Sequence, residues 1–131
     1  MRLKTLMRAP VAVISPHASL TTAARRLRLQ GIHHLVVVDH GAIVGLLTQD
    51  VLTGRQKEGA TRVEDAMLRN ISIATPEMTL REAVALIRPG HLQTAVPVVD
   101  HNRLVGIVTV SDLLELAART RRQSPTPASV G

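Results

Sequence analysis

The spacing of apolar residues divides the chain into short elements with alternating strand-like and helix-like patterns. Continuous apolar runs, typical of buried strands, occur at 35–38, 43–47, 96–99 and 104–108. Shorter apolar stretches at 11–14 and 71–74 also predict strands. Amphipathic helices are predicted over about 19–30 and 79–88, and further helices begin near residues 50 and 111, the latter ending near Arg119. The order strand–helix–strand–strand–helix therefore occurs twice.

The chain is a tandem duplication of a unit of about sixty residues. A shift of sixty positions places Met7 on Met67 and Pro16 on Pro76. After one inserted residue near Gly31, the segments 37–40 and 98–101 coincide, and both read Val-Val-Asp-His. An ordered series of matches with one gap indicates two copies. We assign residues 1–60 to the first repeat, 61–120 to the second and 121–131 to a flexible C-terminal tail. Because so small a unit leaves one face of its sheet uncovered, the copies are expected to pack together.

The composition excludes several classes of function. The chain has no cysteine, so thiolate metal sites and a cysteine nucleophile are excluded. It has no Phe, Trp or Tyr, which excludes nucleic-acid binding by aromatic stacking. There is no nucleophile elbow, P-loop or dinucleotide fingerprint, so we predict that the protein is not an enzyme. No apolar run approaches the ~20 residues of a membrane span, and no signal peptide is evident, so we expect no membrane partner and a cytoplasmic location.

Basic residues exceed acidic ones, and this favours an anionic partner. Lys and Arg number 16 against 10 Asp and Glu, a formal charge of +6. Arg25, Arg26 and Arg28 form a cluster in the first amphipathic helix, and this supports an alternative function as a protein- or nucleic-acid-docking module without a small-molecule ligand. Nucleic acid is the less favoured partner, because a charge cluster of this kind is typical of a solvated helix face.

Two segments carry a resemblance to a known family. Residues 96–100 read Val-Pro-Val-Val-Asp and residues 104–114 read Leu-Val-Gly-Ile-Val-Thr-Val-Ser-Asp-Leu-Leu, with corresponding segments at 35–39 and 44–52. Over about residues 1–118 this pattern resembles the CBS domain pair, or Bateman module. The resemblance implies an α/β fold in which two β-α-β-β-α repeats pack about a pseudo-two-fold axis.

The same resemblance implies a function. It suggests a regulatory sensor that binds an adenosine-containing ligand, such as AMP, ADP, ATP or S-adenosylmethionine, in a cleft between the repeats. It also implies a flat homodimer. No cofactor is certain, and an adenine nucleotide is the candidate ligand. We expect the signal to pass to a separate effector protein or to the oligomeric state.

In the second repeat, a strand runs directly into a helix at a candidate phosphate and ribose site. Thr109 and Ser111 offer hydroxyls at the start of the helix, where free amides and the helix dipole favour phosphate. Asp112 offers a carboxylate that can accept hydrogen bonds from a ribose diol, and Gly106 allows close approach of ligand or backbone. The alternative is that Thr109 and Asp112 only cap the helix.

The first repeat departs from this pattern. Its carboxylate, Asp50, follows Thr48 by two residues instead of three, which rotates it by ~100° around the helix. Thr48 and Asp50 remain candidate ligand-binding residues, but we prefer the site in the second repeat, because Asp50 is expected to cap the helix and miss a ribose.

The remaining candidates surround these groups. The resemblance implies that His33 or His34 faces the ligand phosphates, and strand alternation predicts that only one of them does so. The adenine pocket is expected to be aliphatic, with Val13 and Ile73 interpreted as core and with these candidate ligand-binding residues: Ile14, Ala74, Thr75, Val96 and Pro97. No His-x-x-x-His or Glu-x-x-His spacing occurs, so no metal site is predicted.

Overall fold

The structure, a computed structural model, describes residues 1–88, 90 and 92–123, the last three as backbone only. Of the tail assigned to 121–131, residues 124–131 lie outside the described residues. The final helix continues to Gln123, past the predicted end at Arg119. In the described part of the chain, no helix is both long and apolar enough to cross a membrane.

The two repeats contain similar elements in the predicted order. A 3₁₀ turn at Leu3–Thr5 precedes the first repeat, which comprises β1 (Val13–Ile14), α1 (Leu20–Gln30), β2 (His34–Asp39), β3 (Ala42–Thr48) and α2 (Gln49–Lys57). The second comprises α3 (Val63–Ala66), α4 (Leu80–Ala85), β4 (Ala95–Asp100), β5 (Arg103–Thr109) and α5 (Val110–Gln123). The predicted α/β class is confirmed, although α4 ends three residues before the predicted Arg88.

The sheets differ between the repeats at one strand. In the first repeat, β1 pairs in parallel with β2, and β2 pairs antiparallel with β3. In the second, β4 and β5 form an antiparallel pair, and the strand predicted at 71–74 is reduced to a parallel bridge between Ala74 and Val98. The cause lies in β4, where Pro97 occupies the position that corresponds to Val36 of β2. The amide of Val36 donates to the carbonyl of Ala12 at 3.0 Å, whereas proline has no amide hydrogen to donate.

Both hairpins turn in the same way and hold the same register. His40 and Gly41, like His101 and Asn102, have φ between 49° and 80°. Two consecutive residues with positive φ define the turn that matches the twist of a two-residue hairpin. The turns place Gly45 opposite Val37 and Gly106 opposite Val98.

Side chains cap helices α1 and α4 at their first turns. The Ser19 hydroxyl accepts from the Thr22 amide at the start of α1. At α4, Thr79 and Glu82 form the reciprocal capping box, which satisfies two amides that have no partner inside the helix. These caps fix where each helix leaves the sheet.

The opening segment of each repeat packs against the other repeat. The Leu3 amide donates to the Met78 carbonyl, and the Val63 amide donates to the Ala18 carbonyl, both at 2.9 Å. Leu3 is buried in the core of the second repeat, and Val63 in that of the first. The packed units therefore differ from the sequence repeats, because residues 1–8 contact the second repeat and residues 61–68 contact the first.

One glycine in each hairpin contacts the exchanged segment. A Cβ at Gly106 would lie 2.5 Å from the Met7 sulfur, and a Cβ at Gly45 would lie 2.7 Å from the Leu68 carbonyl oxygen. Close approach at Gly106 was predicted, and Met7 rather than a ligand makes it. A third core of buried Val36, Leu46 and Ala95 then joins the two sheets.

Candidate functional site

An open cleft of about 650 Å³ lies between the repeats. One wall comes from residues 8–12, the end of α1 and the start of β2. The other wall comes from β5 and the first turn of α5, through Ile107, Thr109 and Asp112. The cleft thus brings together four of the predicted ligand-binding residues, which are Thr109, Asp112, His33 and His34.

Thr109 and Asp112 stand at the start of α5. The Thr109 hydroxyl oxygen accepts from the Asp112 amide at 3.1 Å, so the capping interaction is present. Because a hydroxyl that accepts a hydrogen bond still carries its own proton, Thr109 retains a donor for a ligand. The Asp112 side chain is 45% exposed. A cap and a ligand contact are therefore compatible at this position.

Two arginines give the cleft a cationic character. Arg8 lies opposite Asp112, with 3.9 Å between the guanidinium Nη2 and the carboxylate Oδ2. Arg26 donates to the Val13 carbonyl, a bond that holds its stem against the cleft wall. With the positive end of the α5 dipole, these groups favour an anion.

Both histidines line the cleft, contrary to the expectation that only one would do so. The alternation rule fails because β2 begins at His34 and leaves His33 before the strand. His34 Nε2 lies 2.9 Å from the Thr94 hydroxyl, and this contact joins the two repeats. Burial of the imidazole lowers the pKa of His34 below its ordinary value, and neighbouring His33 lowers it further.

The other predicted site residues do not line this cleft. Ile14, Ala74 and Val96 are buried core side chains, and Pro97 is buried in β4. Thr75 and Ser111 are exposed elsewhere on the surface. Ligand contacts by these residues stay predictions.

The first repeat lacks a counterpart of the Thr109 and Asp112 pair. Thr48, only 4% exposed, accepts from the Val51 amide at 3.2 Å, so Thr48 rather than Asp50 caps α2. The expected capping role of Asp50 is wrong, because its side chain is exposed in the first turn. Buried Val51 takes the position that Asp112 has in the second repeat.

Arg8 is a cleft residue that the sequence pattern missed, and Arg26 had a different predicted role. The repeat alignment pairs Arg8 with Leu68 and Arg26 with Leu86, so both arginines occur where the duplication is not symmetric. A position with a cation in one repeat and leucine in the other therefore indicates a site that is present in only one repeat.

A second groove of about 640 Å³ differs in chemistry from the cleft. Its lining includes Val13 and Ile73, which are 41% and 42% exposed, and no charged side chain. Their interpretation as core residues is therefore wrong. Without a charged group, this groove offers little to a nucleotide.

Comparison with known proteins agrees with this architecture. The family model described as "CBS domain" matches residues 3–54 and 63–119. The CBS domain-containing protein YhcV of Bacillus subtilis is 32% identical over 114 residues, covering 84% of this chain and 81% of its own length. L-aspartate semialdehyde sulfurtransferase of Methanocaldococcus jannaschii is 31% identical, but the match spans only 22% of that enzyme.

A solved structure has the same fold over nearly the whole chain. The CBS domain pair of protein MJ0100, in complex with 5′-methylthioadenosine and S-adenosyl-L-methionine, superposes with a TM-score of 0.79 and 30% identity, covering 92% of this chain and 98% of that one. The paired repeats, the cleft between them and the match to the family model at both repeats lead to one conclusion: this chain belongs to the CBS domain family and carries two copies of the domain.

Proposed function

We propose that this protein is a regulatory module that binds an adenine nucleotide in the open cleft between its repeats. The observation that carries the proposal is the arrangement of Thr109 and Asp112 opposite Arg8. It presents a hydroxyl, a carboxylate and a guanidinium to one space of about 650 Å³. A nucleoside phosphate has a diol for the carboxylate and an anion for the cation and the helix start.

The charges favour a phosphate over a cationic ligand. Arg8 and Arg26 line the cleft, against a single carboxylate among the described lining residues. The similar MJ0100 domain pair holds 5′-methylthioadenosine and S-adenosyl-L-methionine, which share the adenosine group. For this chain we expect the adenosine group to be retained, and we expect AMP, ADP or ATP to bind more tightly than S-adenosylmethionine, whose sulfonium is positive.

Regulation would act through a shift between conformations. A ligand in this cleft contacts both repeats, so it stabilises the arrangement in which the two walls are closest. The effect on a separate effector protein, or on a homodimer, is limited by the difference in ligand affinity between the two arrangements. The His34–Thr94 contact crosses between the repeats and is expected to respond to that change.

A thermal-shift panel tests the proposal. AMP, ADP, ATP, adenosine, S-adenosylmethionine and NADH are each titrated against the full chain. Because a ligand that binds only the folded state stabilises it by about 2.7 kcal/mol at a hundred times its Kd, the melting temperature should rise steadily with nucleotide concentration. No shift with any adenosine compound would refute the proposal.

The same panel separates the alternative docking function. Arg25 and Arg28 remain exposed on α1, whereas Arg26 contributes to the cleft wall. Nucleic-acid binding that weakens steeply as salt is added, with no nucleotide shift, would favour a docking module.

A further inference from the structure

The duplication relates Ala12 and Ile32, which line the open cleft, to Ser72 and Gln93. The Ser72 amide donates to Gln93 Oε1 at 2.8 Å, and Gln93 Nε2 donates to the carbonyls of Ser72 and Ala95, each at 2.9 Å. The space left beside Gln93 is only about 10 Å³. The Gln93 carboxamide therefore pairs with both the amide and the carbonyl of Ser72.

The position of Ser72 in the duplication shows which group these hydrogen bonds substitute for. Ser72 corresponds in the duplication to Ala12, which lines the open cleft. The carbonyl of Ala12 accepts from Val36, whereas Ser72 faces Pro97, which has no amide hydrogen. Gln93 supplies the missing donor and also accepts from the Ser72 amide. A donor beside an acceptor is the pattern that the edge of an aminopurine presents to a peptide group.

The positions that the duplication relates to the charged groups of the open cleft are apolar. Leu68 and Leu86 stand at the positions of Arg8 and Arg26, and Val51 stands at that of Asp112. Arg88 lines the space beside Gln93, and its guanidinium donates to the Asn70 carbonyl at 3.4 Å. The apolar replacements remove contacts to a sugar phosphate, whereas the Ser72 amide and carbonyl can still pair with the edge of a base.

We propose that the Gln93 carboxamide occupies a purine-base subsite as a built-in mimic of the base edge, so that each chain takes a single nucleotide, in the open cleft. The comparison of the Gln93 site with the open cleft rests on the proposed function. The subsite itself is defined by the Ser72 backbone and is tested separately. A competing explanation is that Gln93 only replaces the hydrogen bond that Pro97 cannot make.

The test is the variant Gln93→Ala with adenine, the free base, as probe. Removing the carboxamide leaves the Ser72 amide without its acceptor, so its hydrogen exchange should accelerate and the melting temperature should fall by several degrees. Millimolar adenine should restore part of both in the variant and leave the Ser72 amide exchange of the wild-type chain unchanged. N6,N6-dimethyladenine, which lacks the amino donor, should not restore them. Gln56→Ala, at an exposed glutamine on α2, is the matched control.

The outcomes separate the two proposals. Loss of stability with no adenine rescue would overturn the subsite and leave Gln93 as a structural hydrogen bond. Two AMP molecules per wild-type chain by calorimetry would also overturn it. The Ser72 amide reports on the subsite and not on the open cleft, so its exchange in Gln93→Ala is the deciding signal. Slower exchange with adenine, together with no AMP binding by the wild-type chain, would refute the proposed function but support the subsite.

Discussion

Replacing Asp112 with asparagine should weaken adenosine binding without disturbing the fold. The change keeps the size of the side chain and removes its charge, which weakens its hydrogen bonds to the ribose diol, its ion pair with Arg8 and its interaction with the dipole of α5. Asp50 provides a matched control. It also lies in the first turn of a helix that begins after a threonine cap, but it lies outside the cleft.

The exposure of Asp112 sets the expected loss of binding free energy. Hydrogen bonds to a charged group contribute about 1.5–3 kcal/mol each, and the 45% exposure of Asp112 favours the low end, about 3 kcal/mol for two bonds. Asparagine retains about 1 kcal/mol as one neutral bond. The net loss of about 2 kcal/mol corresponds to a Kd increase of about 30-fold. For AMP the loss should be smaller, because removing the carboxylate also removes its repulsion of the phosphate.

Calorimetry at fixed ionic strength measures both ligands. Asp50→Asn should lose the same helix-dipole stabilisation, about 0.3–1 kcal/mol of folding free energy, and leave Kd within twofold. With 2′,3′-dideoxyadenosine, which has no diol, wild-type chain and Asp112→Asn should bind equally. The assignment is refuted by a loss that persists at full size with the dideoxy compound, or by equal losses in the Asp50 and Asp112 variants.

Three further predictions concern the cleft and the exchanged segments. Gly45→Ala should lower the free energy of unfolding by about 1–3 kcal/mol, or the melting temperature by roughly 4–11 °C. The loss should exceed that of Gly106→Ala, because the new Cβ at residue 45 meets a backbone carbonyl and not only a flexible methionine. Equal losses in the two variants would contradict the packing. In calorimetry, Arg8→Ala should weaken AMP binding by about 2- to 5-fold and leave adenosine binding unchanged, since an exposed charge contributes up to about 1 kcal/mol. Equal losses of affinity for both ligands would exclude a phosphate contact. The pKa of His34 is lowered by burial and then by His33, so below about pH 6.5 the unfolded chain binds the extra proton and stability falls until the folded pKa is passed. Urea unfolding from pH 5 to 8 should show that His34→Gln removes this part of the pH dependence, and an unchanged slope would refute it.

Local chemistry explains how much of the fold the sequence predicts. The 79–82 capping box and the two hairpin turns depend on residues within four positions of one another, so their sequence signals are complete. The strand predicted at 71–74 failed for a non-local reason. Its apolar pattern matches that of 11–14, but its hydrogen-bond donor would have come from Pro97.

The cleft was predicted only where the duplication is symmetric or where a familiar motif occurs. Thr109 and Asp112 belong to such a motif, and they line the cleft. Arg8 does not, because the repeat alignment places it against Leu68 and nothing local indicates that residues 1–8 pack on the second repeat. Ligand binding by any of these residues stays a prediction, as do the homodimer and the cytoplasmic location.

The exchange of opening segments has a consequence for how the protein is made. Leu3 bonds to Met78 and Met7 packs on Gly106, so residues 3–7 cannot be covered until the second repeat has been synthesised. At 5–20 residues per second, synthesis from Met7 to Gly106 takes about 5–20 s. During that time Leu3 and Met7 lack their native contacts, and burial of this segment is completed only by long-range closure.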